Sequence, residues 1–92
     1  MAMLDKIRGL NVQIAAVDAD IDQARAELNM LQHLADDAIR DAAVSDNYDD
    51  RADAKMTHAD VTRCERRIYG LARERAKLVR KRDRMVNKLA AG

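Results

Sequence analysis

The chain has no Pro, no Phe and no Trp, and only three Gly, two Tyr and one Cys in 92 residues. With so little Gly and Pro, hardly anything obliges a helix to stop. One cysteine, Cys64, excludes an intramolecular disulfide. No Cys-x-x-Cys, His-x-x-x-His or Glu-x-x-His spacing is present, so the usual zinc and di-iron patterns are missing. No Gly-rich phosphate loop occurs, and no convincing nucleophile–base pair stands out. No uncharged run approaches the ~20 residues of a membrane span. The opening Met-Ala-Met-Leu-Asp-Lys also lacks the basic-then-apolar order of a signal peptide. These absences lead to the expectation of a non-enzymatic, reduced, cytoplasmic protein without metal or cofactor.

What is present is periodicity. Residues 7, 14, 21, 28, 35 and 42 are Ile, Ile, Ile, Leu, Ala and Ala. Residues 3, 10, 17, 24, 31 and 38 are Met, Leu, Val, Ala, Leu and Ala. Two apolar columns at seven-residue spacing keep one seam of a helix facing a partner helix. The first set is position a and the second position d. Leu4, Leu34 and Ile39 widen the stripe at its ends, which favours a bundle over a simple two-stranded coil.

Helix 1 is expected over about 2–44 and helix 2 over about 49–89, with a turn at about 45–48. The run Ser45-Asp46-Asn47-Tyr48-Asp49-Asp50 is the one credible break, because Ser, Asp and Asn side chains accept hydrogen bonds from free backbone N–H groups. Acidic residues there also suit the positive N-terminus of helix 2. A single continuous helix pairing antiparallel with a second copy is the alternative, since no Gly or Pro forces a stop. The fold class is all-α: a long antiparallel helical hairpin, a coiled coil that pairs into a dimeric four-helix bundle.

In helix 2, Val61, Cys64, Ile68, Leu71, Leu78, Met85 and Leu89 continue the seam, and Arg75 and Arg82 fall at core-type positions within it. Such arginines bury their stems at a seam edge and keep their heads in water. If the chain reverses near Asn47, the numbers of contacting residues sum to about 94. Arg75 then lies near Asp18, Asp20 and Asp22, which predicts an ion-pair layer, and Gly70 faces Ala24.

The seam is bulky from Ile7 to Leu31 and all Ala at 35, 38 and 42. This taper predicts a tight turn end and a splayed open end that needs a second copy. Met3, Leu4, Ile7, Leu10 and Ile14 with Leu78, Val79, Met85, Val86 and Leu89 should then supply most of a homodimer interface. The full set of core and dimer-seam residues is Ile7, Leu10, Ile14, Val17, Ile21, Leu28, Leu31, Ile68, Leu71, Leu78, Met85 and Leu89.

Net charge is only +1. Yet residues 1–60 carry six Lys/Arg against thirteen Asp/Glu, a balance of −7, and residues 61–92 carry eleven against three, a balance of +8. Such asymmetry calls for pairing between the halves or for a charged partner. The basic candidates are Arg66, Arg73, Lys77, Arg80, Lys81 and Arg84, which could track a phosphate backbone or an acidic protein. No aromatic residue follows Tyr69, so backbone contact without base stacking is the most this pattern supports. Pairing with acidic helix 1, or simple solvation, would use the same charges.

The acidic set, including Asp18, Asp20, Asp22, Glu27, Asp36, Asp37, Asp41, Asp46, Asp49 and Asp50, has a functional reading too. A rod of short carboxylates could imitate nucleic acid and inhibit a nucleic-acid-binding protein, as a phage or plasmid accessory protein would. His33 and His58 fall across from one another in the hairpin, and a weak shared metal site there is a minor alternative. Cys64 reads as a small buried hydrophobe.

Two comparisons add little. The stretch Leu4-Asp5-Lys6-Ile7-Arg8-Gly9-Leu10 resembles the start of small all-helical chorismate mutases. That family binds a dicarboxylate with Arg and Lys of its first helix, whereas this helix offers Asp5, Asp18, Asp20 and Asp22, so no active site carries over. Dimeric hairpins of this shape include plasmid RNA-binding regulators, an analogy of architecture alone. The function expected from the sequence is therefore self-association and binding of a protein or nucleic-acid partner through the charged outer faces.

Overall fold

A computed structural model describes residues 2–45 and 47–92. It contains two helices, α1 (Ala2–Ser45) and α2 (Tyr48–Ala91), which form a hairpin. Asn47 lies outside both, so the continuous-helix alternative does not hold. The expected turn included Asp46, which lies outside the described residues.

Asn47 is the N-cap of α2. Its side-chain oxygen accepts the Asp49 backbone N–H at 2.9 Å, and its carbonyl oxygen accepts the Arg51 N–H at 3.1 Å. Capping thus satisfies donors that the first turn would otherwise leave without partners. Asp49 and Asp50 stand in that first turn, where the helix dipole favours carboxylates. The Ser45 hydroxyl has two acceptors within reach, the Asp41 carbonyl oxygen at 3.0 Å and the Asp50 carboxylate across the turn. The break therefore arises from local hydrogen-bond chemistry.

The paired helices form two units. Residues 1–22 and 69–92 make one, and residues 23–68 the other. In the first unit, Ile7, Leu10, Ile14 and Val17 on α1, together with Ile21, are only 5–7% exposed. Leu71, Leu78 and Met85 on α2 are half-buried, and Leu89 is exposed. Burying an Ile or Leu contributes roughly 1.5–3 kcal/mol, so this column supplies most of the unit's stability.

In the second unit, Ala24, Ala35 and Cys64 are buried, and Leu28, Leu31 and Ile68 are half-buried. The Cys64 thiol donates to the Ala24 carbonyl oxygen at 3.3 Å, so the cysteine belongs to the seam, as its d position predicted. Gly70 does not take up a seam position. It is exposed, and a Cβ built on it meets nothing within 4 Å. The reason is register: Ile68 and Leu71 hold positions a and d, which leaves Gly70 at the outward-facing c.

The taper argument needs correction in the same way. Bulky Ile7, Leu10 and Ile14 are already covered within one hairpin and are not left over for a second copy. Exposed apolar bulk stands on both units, at Val12, Tyr69, Val86 and Leu89 on the first and at Met30, Leu34, Ile39, Val44, Tyr48 and Met56 on the Ala-rich one. Small seam residues bury little there, while the larger side chains stand on other faces of the two helices.

Candidate charged interfaces

The first unit contains a repeated polar layer inside its apolar seam. Arg75 Nε stands 2.5 Å from Asp18 Oδ1, and Arg82 donates to the Asn11 side-chain oxygen at 3.2 Å. Arg75 and Arg82 are successive a positions of α2, and Asn11 and Asp18 successive e positions of α1. The predicted ion-pair layer is thus present with Asp18 as the acceptor, while Asp20 and Asp22 point to solvent. Both arginines reach α1 acceptors from the seam edge, and Arg82 also pairs with Asp83 of its own helix at 3.1 Å. Asn11 was not foreseen, although its seven-residue offset from Asp18 matches the offset from Arg82 to Arg75.

In the second unit, Arg67 reaches Glu27 at 3.5 Å, each at a g position. These three contacts have residue numbers adding to within one of 94, as expected, whereas the buried Cys64–Ala24 contact adds to 88. Arg40 pairs with Asp37 at 2.7 Å and Arg63 with Asp60, both within a single helix turn.

The remaining basic residues form an open surface. Arg73, Lys77, Arg80, Lys81 and Arg84 are exposed, and none enters an ion pair among the described residues. At 3.6 residues per turn these five lie within an arc of about 100° on α2, turned away from the seam. Arg66, in the other unit, is likewise exposed and without an ion pair among the described residues. Among the described residues, Asp18 and Glu27 are the α1 carboxylates paired with α2 arginines, so the acidic helix leaves most of the basic one unpaired.

The metal alternative finds no support in the geometry. His33 and His58 are both exposed, and among the described residues no group of three or more His, Cys, Asp or Glu side chains could hold an ion. No described helix is long and apolar enough to cross a membrane. Open grooves of about 340 to 400 Å³ lie between the two helices in each unit. Compared with known protein families, curated proteins and solved structures, the chain matches none of them.

Proposed function

We propose that this protein is a non-enzymatic binding module of the cytoplasm that self-associates and engages a polyanionic macromolecule through the outer face of α2. The observation that carries this reading is the cluster of five exposed cations on one helical face, without ion pairs among the described residues. Cations that the fold leaves unpaired keep their full capacity for phosphate or carboxylate. A straight helix presenting them at successive turns suits an extended phosphate backbone, which is contacted without reading sequence. An acidic protein surface would use the same charges and is the second reading.

Titration of duplex and single-stranded oligonucleotides against salt tests the proposal. Binding is expected at low salt, with log K falling linearly in log salt by about 0.9 per phosphate contacted on a duplex. Combined Lys77→Glu, Arg80→Glu and Arg84→Glu substitutions should abolish it. No binding of either oligonucleotide at low salt would remove the nucleic-acid reading and leave the acidic-protein one.

A further inference from the structure

The second unit holds a groove of about 340 Å³ between the α1 stretch 34–41 and the α2 stretch 53–60. Leu34, Ala38, Met56 and Thr57 line it, and Leu34 and Met56 are 50% and 66% exposed. Four carboxylates frame this apolar strip: Asp37 and Asp41 from α1, Asp53 and Asp60 from α2. Asp37 and Asp60 are partly neutralised by Arg40 and Arg63 of their own helices. The carboxylates of Asp41 and Asp53 make no hydrogen bond or ion pair among the described residues. An apolar strip with negative charge along both banks selects an amphipathic helix whose apolar row is flanked by cations.

This same chain offers a helical edge on which cations lead into apolar residues. Lys77, Lys81, Met85 and Leu89 follow one another at four-residue spacing on α2, and Arg80, Arg84 and Lys88 run beside them. Met85 is half-buried and Leu89 exposed, so the row offers apolar contact as well as charge. The two stretches carry opposite charge. Residues 34–60 carry three Lys/Arg against eight Asp/Glu, a balance of −5, and residues 73–88 carry eight against two, a balance of +6. Within 73–88, Arg75 pairs with Asp18 of α1 and Arg82 with Asp83 of its own helix, while Lys77, Arg80, Lys81 and Arg84 enter no ion pair among the described residues.

We infer that the Leu34–Met56 groove of one copy receives the Lys81–Met85–Leu89 row of a second copy. The inference rests on the self-association in the function proposed above and names the two surfaces that carry it. It places self-association on the Leu34–Met56 groove and on the α2 edge that runs from Lys81 to the seam positions Met85 and Leu89, and leaves the buried α1 column Ile7–Ile21 within each hairpin. It also makes self-association and polyanion binding compete for neighbouring cations.

The test is sedimentation of the full chain at micromolar concentration, with helicity followed by circular dichroism. At 50 mM salt the mass should be near twice 10.4 kDa or a higher multiple, and it should fall to that of one chain near 1 M salt, where charges are screened beyond about 3 Å. The Asp41→Arg/Asp53→Arg protein should be monomeric, and so should the Arg80→Asp/Arg84→Asp protein. Mixed together, the two should associate, because a basic groove then meets an acidic row. Wild-type chain that is monomeric at 50 mM salt would overturn the inference, as would either variant associating as wild type does or a mixture that stays monomeric. The groove variant keeps the basic face, so its retained oligonucleotide binding separates failure of this contact from failure of polyanion binding.

Discussion

Arg75 of α2 holds Asp18 of α1 with a 2.5 Å contact inside a seam that is otherwise apolar. Seven residues further on, Arg82 repeats the arrangement with Asn11. The pair is half-exposed, at 44% and 45% of the side chains, so solvent screens it. A double-mutant cycle with Arg75→Ala and Asp18→Ala should give a coupling of no more than about 1 kcal/mol, shrinking as salt rises. A value well above that would mean the layer is drier than its exposure indicates. Its larger effect is on register, since a slip of one turn would part Arg75 from Asp18 and Arg82 from Asn11 together.

The apolar column of the first unit should dominate unfolding energetics. Ile14→Val is expected to destabilise the chain by roughly 0.5–1.5 kcal/mol, and Ile14→Ala by roughly 2–5 kcal/mol, as a cavity opens at a site 5% exposed. Val12, two residues away but 70% exposed, should tolerate Ala within about 0.5 kcal/mol. Urea midpoints at constant slope measure all three. Equal costs at positions 12 and 14 would contradict the assigned seam.

Asn47 should be the costliest single residue of the turn. Asn47→Ala removes the acceptor of the Asp49 N–H and is expected to cost about 1 kcal/mol, whereas Asn47→Gly should cost a few tenths. Chemical denaturation of the two variants distinguishes lost capping from lost side-chain packing, because packing would make Gly at least as damaging as Ala.

Gly70 offers a stabilising change. It lies inside α2, where Gly is less favourable than Ala by roughly 0.5–1 kcal/mol, and a Cβ there meets nothing within 4 Å. Gly70→Ala should therefore raise the thermal midpoint. A lowered midpoint would show that a close neighbour, such as another copy, needs the missing side chain.

Much of the fold was legible in the residue order. The columns at positions 7, 14 and 21 and at 10 and 17 predicted the buried face, and the Ser45–Asp50 composition predicted where α1 ends and α2 begins. The candidate interface was only partly legible. Arg75 against Asp18 followed from counting back around the turn, but the same count set Gly70 against Ala24, where Gly70 turns outward at heptad position c and Cys64 meets Ala24 instead. The exposed groove of Leu34 and Met56 was missed because its two banks come from stretches far apart in the chain, and Leu34 and Met56 stand off the a and d columns that mark the seam.

The sequence by itself therefore determined two long helices, their shared seam and the cap that reverses the chain. These are local properties, set by hydrophobic period and by side chains that bond their own backbone. The tertiary structure decided which charges meet and which stay open. Ion pairing depends on distances of a few ångströms across the hairpin, and only the packed register shows that Asp18 and Glu27 find arginines while Arg73, Lys77, Arg80, Lys81 and Arg84 face outward.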